Sequence, residues 1–337
     1  LKSRYRVLWV SGVLLLALGL SKGLSPATVR QFTGGYRTFV TIFLGIFIEA
    51  LPFLLLGTLA SGLVEEFLKP DTVGRWMPHT RLGSALSGAL LGLAFPVCEC
   101  GVVPLTRRLF RKGLPVSVGV AFLLAAPVIN PVVIASTYAA FGWGPVLLGR
   151  VALSLFIATT VGLIFGLAPH PMRLLHFSAW PTTPDGDGAT LSNAATAHSS
   201  LPTRLVHALS VASDEFFEMG RYLVLGSLLA AAMQTVVPQS ALLAVGRGPL
   251  SSAAAMLALA FTLSVCSTVD AFLALAFVNL FTTGSILGFL VFGPMVDVKS
   301  VLMFLSVFHR RVALYLVLLP LMMTLFIVVV VNLNVGG

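Results

Sequence analysis

The chain has 337 residues, of which 57% are hydrophobic and only 10% are charged. Soluble domains carry about a quarter charged residues, so this composition excludes an ordinary soluble enzyme, a disordered protein and a collagen-like chain. Its 21 basic and 12 acidic residues give +9, an excess that in a membrane protein marks cytoplasmic loops and not a nucleic-acid partner. Three cysteines, Cys98, Cys100 and Cys266, are too few for a disulfide framework.

The first apolar run, 7–20, follows Lys2, Arg4 and Arg6. No clear small-residue cleavage pattern comes after it, so it reads as a retained N-terminal helix and not a signal peptide. Charge is absent from 113–149, 151–169, 222–246 and 312–337, and 248–296 contains only Asp270. A helix needs about 20 mostly apolar residues to cross a bilayer. The runs are rich in Leu, Ala, Val and Gly without strict alternation, which predicts helices and not barrel strands. Spans are expected near 38–64, 114–140, 145–168, 206–236, 285–308 and 312–333. Segments 82–106 and 250–281 fit either full crossings or hairpins. The polar stretch 169–205, with Pro181, Pro184, Asp185, Gly186, Asp187 and Gly188, predicts a flexible linker. The expected organisation is an N-terminal helix and loop over 1–37, a membrane repeat over 38–168, a cytoplasmic linker over 169–205 and a second repeat over 206–337.

The repeat is visible in ordered matches. Phe47-Ile48-Glu49 and Gly57 match Phe216-Phe217-Glu218 and Gly226 at an offset of 169. Val97-Cys98 matches Val265-Cys266 at 168, and Phe122-Leu123 with Pro127 matches Phe289-Leu290 with Pro294 at 167. Asn130 then falls opposite Asp297. Basic residues favour the cytoplasm. If 82–106 enters and turns back near Cys98-Glu99-Cys100-Gly101, the cluster Arg107, Arg108, Arg111 and Lys112 stays inside with the linker. The same hairpin in 250–281, turning near Cys266-Ser267-Thr268, makes the halves antiparallel. The fold expected is therefore an all-α polytopic membrane protein of two inverted repeats, each with a broken-helix or re-entrant hairpin, plus an extra N-terminal helix. Transporters of this plan bind substrate near the midplane at broken helices.

Cys98-Glu99-Cys100-Gly101 lies between Pro96 and Pro104, where a helix is expected to break. On a non-helical turn both thiols can face one ligand, and thiolates select soft, thiophilic species. Cys266 would join from the matching turn, with Ser267 beside it. A structural zinc site normally wants four ligands, so no metal is expected. Acids inside apolar segments are costly and so face a cavity, pair or protonate. Glu49, Glu218 and Asp270 are the expected coupling residues. Glu99 is placed with the substrate site. Asp214 and Glu215 are read as interfacial. In Ala126-Pro127-Val128-Ile129-Asn130-Pro131 the Asn side chain can bond backbone groups freed by proline. Asn130 and its mate Asp297 are added to the substrate path. The histidines are read as solvated. No Walker loop, dinucleotide fingerprint or metalloprotease helix is present in the sequence, so no cofactor and no enzyme activity are expected.

Phe95-Pro96-Val97-Cys98-Glu99-Cys100-Gly101-Val102-Val103-Pro104-Leu105 and Ala125-Ala126-Pro127-Val128-Ile129-Asn130-Pro131 closely resemble the ArsP/YraQ-type predicted permease family. Ser264-Val265-Cys266-Ser267 and Gly293-Pro294-Met295-Val296-Asp297-Val298-Lys299 look like its second-half motifs. The resemblance covers roughly 38–330. It implies a multi-pass permease of the cell inner membrane. Some members export trivalent organoarsenicals such as methylarsenite, and by position Cys98, Cys100 and Cys266 would bind the thiophilic species. The expected function is proton-coupled export of such a solute, with the lipid bilayer and the small solute as partners and an oligomer possible. A transporter or channel for a sulfur oxyanion or metal ion, and a membrane thiol oxidoreductase, are the alternatives.

Overall fold

The computed structural model describes residues 26–68, 78, 80–95, 97–168, 175, 201–236 and 248–335. Twelve helices and no strand occur among these residues; an isolated antiparallel bridge joins Leu175 to Phe308. The first half carries α1 (Pro26–Phe67), α2 (Arg81–Leu91), α3 (Glu99–Arg111), α4 (Val116–Ile129), α5 (Pro131–Phe141) and α6 (Pro145–Gly166). The second carries α7 (Leu201–Val236), α8 (Pro249–Leu263), α9 (Asp270–Leu275), α10 (Thr283–Met295), α11 (Val298–Val307) and α12 (Arg310–Val335).

Six helical stretches are long and apolar enough to cross a membrane: Gly34–Phe67, Val116–Phe141, Pro145–Gly166, Leu201–Val236, Thr283–Val307 and Arg310–Asn334. Each coincides with a span expected from the charge-free runs. The expected helix over 7–20 lies outside the described residues, as does nearly all of 169–200. Two boundaries move. Helix α1 begins well before residue 38, and α7 begins at Leu201, inside the stretch read as linker. No proline interrupts 201–205 beyond Pro202 at the second position of α7, where a missing N–H is harmless.

Helices α4 and α10 are apolar all round and almost wholly buried, the pattern of a central helix. The outer helices differ. On α1, Leu44, Ile48 and Leu55 are exposed, and on α12, Leu314, Tyr315 and Phe326. Apolar surface this extensive needs an apolar surrounding. The long helices α1 and α7 pack along each other, α4 packs on α2 and α6, and α10 packs on α8 and α12. Helix α3 of the first half packs on α11 of the second, and α9 of the second packs on α5 of the first.

The segments left open between crossing and hairpin are each two short helices with an interruption. In the first, Gly92 ends α2, and i→i+3 bonds from Gly92, Leu93 and Ala94 tighten its last turn. Cys98 is the N-cap of α3, so Glu99, Cys100 and Gly101 are already helical. The break thus falls at 92–98, earlier than the expected turn at 98–101. Helical start at Glu99 follows from electrostatics: a carboxylate in the first turn suits the positive end of the helix dipole. Pro104 lies inside α3 and does not end it. In the second segment α8 ends at Leu263, Ser264 takes a left-handed backbone with φ 47°, and α9 starts at Asp270. That interruption includes Cys266, Ser267 and Thr268, as expected.

Candidate functional site

Three helix starts and one turn bring polar side chains into the bundle's interior. Glu99 and Cys100 open α3 directly after Cys98, and all three are buried. Cys98 and Cys100 lie within hydrogen-bond reach of each other's thiol. Cys266, in the turn before α9, is buried and within electrostatic range of Glu99. The Thr268 hydroxyl donates to its sulfur at 3.5 Å. Ser267 is fully buried, and its Oγ has no hydrogen-bond partner.

At the α10–α11 interruption Asp297 is the N-cap of α11. It accepts from the Ser300 N–H at 2.7 Å, while its own N–H donates to Ser300 Oγ at 2.8 Å. This reciprocal cap satisfies donors that a helix start leaves open. Two residues on, Lys299 is 1% exposed. Its Nζ stands 3.4 Å from Glu99 Oε1 and 3.4 Å from Asp297 Oδ2. Cys100 and Cys266 also interact with it electrostatically. From α1 the half-buried Glu49 faces the same ammonium, with its Oε1 buried and unpartnered. The cluster therefore draws on both halves of the chain.

Asn130 spends its amide on the backbone. Its Oδ1 accepts from the Val133 N–H at 3.0 Å, and its Nδ2 donates to the carbonyls of Ala126 at 3.0 Å and Val97 at 3.3 Å. It joins α4 to α5 across Pro131 and ties both to the strand of chain that delivers Cys98. Asp270 is placed elsewhere. Arg150 of α6 grips it through two bonds, Nη2–Oδ2 at 2.6 Å and Nη1–Oδ1 at 3.0 Å, and also reaches Thr137 Oγ1 at 2.8 Å. Both partners are nearly fully buried. The guanidinium, always charged, meets both carboxylate oxygens of Asp270.

Glu218 belongs to a third group, at the C-terminal ends of α1 and α3. It pairs with Arg107 at 2.8 Å; Arg108 stands 3.4 Å from Glu65 and 3.6 Å from Glu215, and Lys112 Nζ donates to the Glu65 carbonyl at 2.6 Å. Glu66 holds Arg204 and His207. Glu215, read as interfacial, is instead buried against Arg108. The structure thus links Glu99 and Asp297 through Lys299, beside Cys98 and Cys100, ties Asn130 to the segment before Cys98, leaves Cys266 and Glu49 within electrostatic range of this cluster, and places Asp270 and Glu218 with other partners. Among the described residues no group of three or more His, Cys, Asp or Glu side chains is arranged to hold a metal ion.

Lys299 and Arg150 escaped the reading of the sequence. A signal existed for Arg150. Arg150 is the lone charge between two uncharged runs, as Asp270 is in 248–296. Intramembrane charges pair, and these two singletons pair with each other.

An apolar exterior with charged side chains sealed inside is how a multi-pass membrane protein is built. Comparison with known proteins narrows the class. A family model described as a predicted permease, of the ArsP type, matches residues 36–333, and the chain belongs to that family. A protein of Bacillus subtilis, UPF0718 protein YcgR, is 44% identical over 279 residues, covering 82% of this chain and 91% of that relative. A Streptococcus mutans protein named as a subunit of a two-component membrane permease complex is 36% identical over 286 residues, covering 82% of this chain and 89% of the relative. No solved structure gives a significant match.

Proposed function

We propose that the chain is a secondary permease of the cell inner membrane that exports a soft, thiophilic solute of the trivalent organoarsenical class, coupled to protons. The observation that carries this reading is that Cys98 and Cys100 lie buried beside the Glu99–Lys299 link that joins the two halves, with Cys266 buried in the interruption of the second half. Soft thiolate ligands select such solutes. A methylarsenite molecule carries two As–O bonds. Each exchanges with a thiol: an As–S bond forms, an As–O bond breaks, and the thiol proton leaves with the hydroxyl as water. The adjoining Cys98 and Cys100 supply the first pair, and Cys266 is the acceptor when the solute passes between halves.

We read the two halves as inverted repeats. Support comes from the matching order of helices, from the interruptions at Asn130 and Asp297, and from the crossed packing of α3 on α11 and α9 on α5. Each half also has three span-length stretches, and an odd number of crossings turns the second copy over. The name of the Streptococcus relative supports one further element, that the permease works as a subunit of a complex.

In everted membrane vesicles, Cys98→Ser is expected to abolish methylarsenite transport, and an uncoupler to collapse it in the native protein. Unimpaired transport by a cysteine-free variant would sink the thiol assignment, and transport without a proton gradient would sink the coupling. A membrane thiol oxidoreductase draws on the same Cys98–Cys100 contact. It requires a mixed disulfide with a partner protein, which the permease reading does not.

A further inference from the structure

Two of the buried charge sites among the described residues are built differently. Arg150 and Asp270 form a closed pair: one cation, one anion, two short bonds. Around Lys299 the count does not balance. The groups that face it are Glu99 and Cys100 from α3, Glu49 from α1, Cys266 from the turn before α9, and Asp297 at its own N-cap. Helix α7 brings Gly226 against it, where a Cβ would stand 2.9 Å from the Lys299 Cα. Two carboxyls therefore pair with one ammonium, and Glu49 adds a third acid within its electrostatic range. Both ion-pair contacts are long, at 3.4 Å. Glu99 Oε2 and Glu49 Oε1 are buried with no hydrogen-bond partner, and Asp297 Oδ2 has only its long ion pair with Lys299.

A buried anion without a counter-ion is strongly unfavourable, and three ionised carboxylates with one lysine would leave two. The deficit is of positive charge, and the unpartnered oxygens mark where it is to be supplied. We propose that Lys299 is a tethered cation competing with a transported proton for the carboxyls of Glu99, Asp297 and Glu49, which together form a proton-binding site. When a proton from solvent adds to one carboxylate oxygen, that carboxylate no longer needs the ammonium, and Lys299 shifts its weight to the remaining two. No bond other than the O–H forms, and the cluster's net charge rises by one. Because Glu99 is on α3 and Lys299 on α11, the exchange loosens a link between the halves. Half-buried Glu49 gives the proton its access. This inference rests on the reading of the chain as a proton-coupled permease and locates its coupling step, but its test needs no solute.

The experiment is infrared difference spectroscopy of the full chain in lipid nanodiscs, titrated in pH without any solute. The native protein is expected to show a protonated-carboxyl band that grows as pH falls and is diminished in Glu99→Gln and in Asp297→Asn. Lys299→Met removes the competing cation, so the band should persist to higher pH by about one unit or more, a roughly tenfold gain in proton affinity. Lys299→Arg keeps the charge and should restore a native-like titration, which separates the role in proton exchange from a merely structural one. Absence of any titrating carboxyl band in the native protein would overturn the proposal. So would a band unchanged in Glu49→Gln, Glu99→Gln and Asp297→Asn alike. If the band behaves as expected while methylarsenite transport fails, the solute assignment falls and the proton site stands.

Discussion

At the scale of single residues, two polar side chains hold the interior in place. Arg150 and Asp270 join α6 to α9 across the two halves. Removing one partner of a buried pair leaves the other charge uncompensated, at a cost of roughly 3–5 kcal/mol. Arg150→Met and Asp270→Asn should therefore each lower the melting temperature in detergent sharply. The double variant should lose less than the sum, because the singles share one interaction. Additive losses would mean that the pair is not coupled. Asn130 works on the backbone. Asn130→Ala deletes the cap of α5 and leaves the Val133 N–H and the Ala126 and Val97 carbonyls without this partner. The cap alone is worth ~1 kcal/mol. Because the Val97 bond steadies the segment before Cys98, methylarsenite transport should fall further than the modest drop in stability explains. Equal losses would reduce Asn130 to a cap.

Between elements, glycines set how near the long helices come to the site. A Cβ on Gly57 of α1 would collide with the backbone of Gly101 on α3. A Cβ on Gly226 of α7 would crowd Lys299 on α11. These are the same two glycines that the repeat matched by sequence, and each lets a long helix close on a helix that carries a buried charge. Gly45, with nothing within 4 Å, is the control. Gly57→Ala should cost ~1–3 kcal/mol through overpacking, whereas Gly45→Ala should be neutral or gain up to ~1 kcal/mol from helix propensity. Thermal unfolding of the two variants checks the contrast, and similar effects would contradict the close approach.

The same scale separates what was legible in the sequence from what was not. Pro131 announces its interruption locally, since proline acts within one turn. The break near Cys98 was displaced because Gly92, not the prolines, ends α2, and Pro104 is tolerated inside α3. The bonds of Lys299 to Glu99 and of Arg150 to Asp270 span 200 and 120 residues. No local spacing encodes such pairs. Only the isolation of Arg150 and of Asp270 in apolar runs hinted that a partner had to exist. Glu218 and Glu49 match in the sequence alignment of the halves, yet Glu218 meets Arg107 while Glu49 lies within electrostatic range of Lys299, because different helices face the two acids.

For the whole molecule, the account depends on two halves delivering thiols to one interior point. Cys98 comes from the first and Cys266 from the second. With a protease site engineered at 185–188, cleavage should separate the halves on a denaturing gel. Prior treatment with a short bifunctional thiol reagent should keep them joined in the native protein but not in Cys266→Ser. Separation despite treatment would place the thiols apart. The central claim is tested most directly by X-ray absorption at the arsenic edge on the purified full chain loaded with methylarsenite. Arsenic bound through sulfur in the native protein, reverting to oxygen ligation in Cys98→Ser with Cys100→Ser, is the result predicted. Oxygen ligation in the native protein, or sulfur ligation that survives removal of these thiols, would contradict it.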